Sequence, residues 1–138
     1  MIQAGISRSN LNLLGSVVEC YISDDDVMAE AKSLGVTRAI CSVRKAVRSG
    51  AAIYAIGNAF TALFELIRMV NERAVRPALI VGVPVGFVSA AETKEALLQL
   101  ETTFLTTVGI KGGTPLAVAI VNTPASPRGV RKAIIIHY

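Results

Sequence analysis

From Tyr54 to Leu98 the chain reads strand, turn, helix, strand, turn, helix, and no other feature narrows the possible folds as far. Ile53–Ile56 is a short apolar run that stops at Gly57-Asn58. Ala78–Val81 is a second such run, and it stops at Gly82-Val83-Pro84-Val85-Gly86-Phe87. Each turn follows a strand and precedes a helix, the place where open α/β sheets gather their ligand-binding loops. A small-molecule site is therefore the leading expectation.

The flanking sequence extends the alternation. Val17–Ile22 reads as a first strand, and Asp24-Asp25-Asp26 heads a helix that runs to Leu34 and closes at Gly35. Thr37 is placed to cap a helix over Arg38–Arg48, and a strand over 52–56 follows Ser49-Gly50. Between Ala59 and Arg73 the residues Ala62, Leu63, Leu66, Ile67 and Val70 recur at helical spacing. Ser89-Ala90-Ala91-Glu92 has the pattern of a capping box at the head of the next helix. Thr102–Val108 is rich in β-formers, Gly109–Thr114 is a glycine turn, and Pro115 suits the first turn of a helix through Val121. Ile134–Ile136 supplies a final strand. With 138 residues there is room for one domain over 1–138, and the expected class is α/β, a three-layer α/β/α sandwich on a mostly parallel sheet.

Composition limits the function classes. Hydrophobic residues at 52% against 17% charged argue against disorder. The mean hydropathy of +0.54 raises the question of a membrane span. However, the longest nearly uncharged stretch, Ala78–Ala91, falls short of the roughly 20 apolar residues a span needs and contains two glycines and a proline. Met1–Gly5 shows neither a basic region nor a cleavage-like site, so the expected location is the cytoplasm. Cys20 and Cys41 have no neighbouring metal-ligand pattern and read as reduced, buried thiols, with no metal expected. A net charge of +4 without tryptophan or a stacking motif fits a polycarboxylate or phosphate ligand at least as well as nucleic acid.

The turns carry the candidate chemistry, each with a plainer alternative. Gly57-Asn58-Ala59-Phe60-Thr61 offers backbone N–H groups and the Asn58 amide to an anion, or is simply an Asn helix cap. Residues 82–87 let backbone approach a ligand, with Phe87 over its apolar face, or pack as a loop at the sheet edge. Lys111-Gly112-Gly113-Thr114 binds an anion or is an ordinary turn, and its spacing is not that of a P-loop. His137 is the only histidine, and no Ser/His/Asp set or paired-carboxylate motif is present.

Tyr54–Leu63 resembles a signature of the precorrin-8X methylmutases, called cobalt-precorrin-8 methylmutases in the anaerobic route. Gly82-Val83-Pro84-Val85-Gly86-Phe87-Val88-Ser89-Ala90-Ala91-Glu92-Thr93-Lys94-Glu95-Ala96-Leu97 resembles a second, longer and more specific one. Gly35-Val36-Thr37-Arg38, Lys111-Gly112-Gly113-Thr114 and Asn122 add weaker support, and the likeness covers most of positions 1–123. The resemblance implies a role in cobalamin synthesis: a methyl group moves from C11 to C12 of a corrinoid ring without a separate cofactor. It also implies an α/β sandwich that dimerises, with the tetrapyrrole bound in a site built with the dimer.

Two departures stand out. Met1-Ile2 and Gly5-Ile6-Ser7-Arg8 resemble a segment that lies well inside the family's chains, and the histidine the family places upstream of it has no counterpart here. Phe60 also stands where the family carries proline. Together, turns and resemblance give an expected ligand set of Arg38, Gly57, Asn58, Thr61, Gly82, Pro84, Gly86, Phe87, Lys94, Lys111, Gly112, Gly113 and Thr114, with no general acid assigned. The first expectation is a methylmutase-related protein that binds a tetrapyrrole as a homodimer. The alternative is a corrinoid-binding or assembly protein that kept the fold without the activity.

Overall fold

The structure is a computed structural model and describes residues 17–86, 88–107, 111–121 and 132–136. Among these residues five strands form one parallel sheet: β1 (Val17–Glu19), β2 (Ile53–Ile56), β3 (Leu79–Gly82), β4 (Phe104–Thr106) and β5 (Lys132–Ile136). Their order across the sheet is β1-β5-β2-β3-β4. Among the described residues five helices connect them: α1 (Asp25–Leu34), α2 (Arg38–Arg48), α3 (Phe60–Asn71), α4 (Val88–Leu98) and α5 (Thr114–Val121).

Alternation along the strands sends side chains to two cores. Tyr54, Ile56 and Ile80 face one side, where they pack with Ala39, Val43 and Ala46 of α2, Leu63 and Leu66 of α3, and Leu97 of α4. Ala55 and Val81 face the other side and meet Ala117 of α5 together with Val83. Helix α1 lies outside α2, joined to it through Val27, Ala31 and Cys41. The expected α/β/α sandwich with a parallel sheet is the fold observed. Both thiols are free; Cys41 is buried and Cys20 only partly so. None of the helices among the described residues is long and apolar enough to cross a membrane.

Local chemistry explains most of the element ends. Gly35 closes α1 at φ 66°, with its N–H donating to the Ala31 carbonyl. Thr37 caps α2 as expected, its hydroxyl accepting from the Ile40 N–H at 3.3 Å. Three expectations need correction. Strand β1 stops at Glu19 rather than Ile22, because the chain turns where the Asp24 N–H donates to the Tyr21 carbonyl at 3.1 Å. Strand β4 keeps only Phe104–Thr106 of the longer run 102–108. Helix α4 already begins at Val88, so Ser89 lies inside its first turn; the Ser89 carbonyl accepts from the Thr93 hydroxyl at 2.6 Å, as an interior helical residue does. The expected capping box is therefore out of register.

The connections set the site. Helices α2, α3 and α4 lie on one face and α5 on the other. The chain thus leaves the adjacent strands β3 and β4 toward opposite faces, the topology by which open α/β sheets form a crevice beyond the carboxyl ends of such a pair.

Candidate functional site

Three connections, in their described parts, meet at that crevice: 57–59 after β2, 83–86 after β3, and 107 with 111–113 after β4. Each delivers the N-terminus of a helix to the carboxyl edge of the sheet. A fourth N-terminus joins them, since the Thr37 hydroxyl at the head of α2 lies 3.3 Å from the Thr61 hydroxyl in the first turn of α3. The first N–H groups of a helix lack intrahelical partners and carry its partial positive charge. Four such ends on one edge favour a ligand with several anionic groups.

The connections are stitched together by backbone. The Val83 N–H donates to the Ile56 carbonyl at 2.9 Å, which ties the loop after β3 to the end of β2. The Gly113 N–H donates to the Val83 carbonyl at 2.7 Å, which ties the loop after β4 to both. The Thr106 hydroxyl donates to the Gly82 carbonyl at 2.6 Å one step below. The approach is so close that a Cβ on Gly112 would stand 2.2 Å from the Val83 carbonyl oxygen and 2.8 Å from that of Pro84. Only glycine fits there.

The expected residues divide between this floor and its surroundings. Gly57, Pro84 and Gly113 are buried in it, with Gly112 and Gly86 half-buried. Asn58 is half-buried, and its Oδ1 would be 3.7 Å from a Cβ on Gly113. The cap of α3 is Ala59 and not Asn58, so the plain-cap reading of Asn58 falls away. Thr61 and Arg38 are half-buried at the heads of α3 and α2. Thr114 begins α5. Gly82 points instead into the helical layer, where a Cβ would meet Leu97 Cδ2 at 2.8 Å and Leu63 Cδ2 at 3.0 Å. Its glycine serves the packing of α3 and α4 on β3. Lys111 is exposed, and its carbonyl turns inward. Phe87, Asn122 and His137 lie outside the described residues. Phe60 opens α3 at 41% exposure, at the helix position where proline is favoured.

Lys94 is placed differently from a surface anion binder. It is 2% exposed, and its ammonium donates to the Thr107 hydroxyl at 3.0 Å and the Lys111 carbonyl at 2.7 Å. Burial pushes its pKa below the usual lysine value. The signal for this was in the sequence: Ala90, Thr93, Lys94 and Leu97 follow the i, i+3, i+4, i+7 spacing of a buried helix stripe, and all four are buried. Thr106 and Thr107, which bind this floor together, were not singled out by their sequence. Their role depends on pairing with residues far along the chain.

Among the described residues there is no group of three or more His, Cys, Asp or Glu side chains able to hold a metal ion. The salt bridges among the described residues lie elsewhere, joining α1 to α2 and α2 to α3 and running along α3 to Glu72. What remains at the carboxyl edge is a hydrogen-bonded, glycine-lined floor under several helix ends.

The family model for precorrin-8X methylmutase matches residues 1–126. A cobalt-precorrin-8 methylmutase of Priestia megaterium is 50% identical over 123 residues, which cover 88% of this chain and 55% of that protein. One from Methanocaldococcus jannaschii is 50% identical over 125 residues, with the same coverage of 88% and 55%. The solved structure of a precorrin-8X methyl mutase from Thermus thermophilus superposes with a TM-score of 0.80 at 38% identity, covering 88% of this chain and 59% of that one. The chain spans about half the length of the curated relatives it matches. By model, sequence and structure alike, this chain belongs to the precorrin-8X methylmutase family.

Proposed function

We propose that this chain binds a corrinoid tetrapyrrole at the carboxyl edge of its sheet and acts in cobalamin biosynthesis, moving a methyl group from C11 to C12 of the ring. The observation that carries the reading is the convergence of the loops after β2, β3 and β4 on one crevice, joined through the backbone N–H and C=O of Val83. A corrinoid ring is broad, flat and edged with carboxylates. Its carboxylates suit the helix N-termini of α2 to α5, and the basic charge of +4 favours their approach.

In this reading each part of the crevice has a task. The Gly112-Gly113 segment gives the ring a flat backbone surface to rest on. Asn58 and Thr61 hydrogen-bond to groups at its rim, and Arg38 and Lys111 pair with peripheral carboxylates. Phe87 covers an apolar face. The migration breaks one carbon–carbon bond and forms another within the same molecule, so no atom is gained and no cofactor is required. The protein contributes by fixing the ring and excluding water. The same reading makes the protein a cytoplasmic homodimer whose two copies complete the site.

A second reading is a corrinoid binder without turnover. Its support is that no histidine occurs among the described residues, and histidine is the commonest acid near neutral pH. Titration of the purified protein with hydrogenobyrinic acid, followed by absorbance and calorimetry, tests both. Saturable binding near one ligand per subunit is the expected result, and turnover of the precorrin then separates mutase from binder. Absence of saturable binding would remove the tetrapyrrole from this chain.

A further inference from the structure

Lys94 presents an unusual balance. All ten acidic residues of the sequence lie among the described residues, and the salt bridges between described residues use Arg44, Lys45, Arg48 and Arg68 but not Lys94. A buried cation without a carboxylate partner is costly to keep. Among the described residues the ammonium meets neutral oxygens, the Thr107 hydroxyl at 3.0 Å and the Lys111 carbonyl at 2.7 Å. The Thr107 hydroxyl also donates to that same carbonyl. Three groups thus close a small ring of hydrogen bonds beneath the β4–α5 connection.

What this ring holds is the floor of the crevice. Lys111 leads directly into Gly112 and Gly113, which lie against Val83 and Pro84 at a separation that leaves no room for a side chain. Gly113 then accepts at its carbonyl from the Ala117 N–H at 3.1 Å and so starts the hydrogen bonding of α5. From inside α4, Lys94 reaches across to the connection that sets where α5 begins.

We propose that Lys94 is a positioning residue: it clamps the β4–α5 connection onto the β3–α4 loop and so aims the N-terminus of α5 at a ligand carboxylate in the crevice. The inference rests on the ligand reading given above. It gives Lys94 a role through the loop in place of direct contact with the ligand. Because no acidic side chain among the described residues pairs with it, the ammonium also adds to the positive field of that helix end.

Three variants in the full chain test the clamp. Lys94→Met keeps the stem and removes the donors, Thr107→Val removes the hydroxyl between them, and Gly112→Ala forces the connection away from Val83 without touching Lys94. In hydrogen exchange, the Gly113 amide of Lys94→Met and of Thr107→Val should exchange faster by ~10-fold or more, while the amides of β2 stay protected. Affinity for hydrogenobyrinic acid should fall by ~10-fold or more in Lys94→Met and in Gly112→Ala, with the double variant no weaker than Gly112→Ala alone. Unchanged Gly113 exchange would overturn the clamp. Additive losses in the double variant would overturn it too, by showing that Lys94 meets the ligand itself. If Lys94→Met does not fold, Thr107→Val carries the exchange test. If the wild-type protein does not bind the probe, the ligand reading fails, and the exchange result still decides whether Lys94 holds the loop.

Discussion

Glu65 illustrates how much one residue can do away from the site. Its carboxylate, 7% exposed on α3, accepts from Arg68 at 2.7 and 3.0 Å and from Arg44 of α2 at 2.8 Å. The Arg68 hydrogen bonds, helped by Arg44 and opposed by burial, hold its pKa at about 2, down from 4.5. A depressed carboxyl pKa stabilises the folded state above the unfolded value, and that contribution disappears as pH falls toward the folded one. Glu65→Gln should therefore lose up to about 3 kcal/mol at neutral pH, with the gap to wild type closing between about pH 5 and pH 2. Thermal melts across that range check it, and a gap independent of pH would refute the assignment. The two residues most telling for the site were unequally legible. Thr37 could be read as a cap because its role is played out within three residues. Lys94 belongs to the expected ligand set through the family resemblance, whereas its place on the buried stripe of α4 sends its ammonium to Thr107 and Lys111.

The elements show the same division between local and distant causes. Helix α2 is held at its head by Thr37, which both caps it and meets Thr61 of α3. Thr37→Ala should cost about 1 kcal/mol in thermal unfolding, and Thr37→Ser should restore most of it. Equal stability of the two variants would show that the hydroxyl does not support the helix. The strands β2 and β3 could be read from their continuous apolar runs, since both faces of each are covered by helices. The Ser89–Glu92 pattern misled because Ser-x-x-Glu also occurs inside a helix, and here the helix starts one residue earlier. Gly82 misled in the other direction. Glycine at the end of a strand reads as a ligand turn, yet the space it leaves is taken by Leu97 and Leu63.

For the molecule as a whole, alternation of strand and helix identified the α/β class, but not the order of the strands. The last strand, β5, lies between β1 and β2, and its pairing with both spans most of the chain. Nothing local in Lys132–Ile136 marks that position. It follows from the reversal after β4, where α5 crosses to the opposite face and carries the chain back along the sheet. That same reversal creates the crevice between β3 and β4, so the candidate site is a consequence of topology as well as of its glycine turns. The turns were legible in advance; their meeting at the Val83 peptide was not. The tetrapyrrole proposed here would lie across these turns. A crystal structure of the protein with hydrogenobyrinic acid is the decisive measurement. Ring density is expected over Gly112-Gly113, with carboxylates at the heads of α3 and α5. Density anywhere else on the molecule would contradict it.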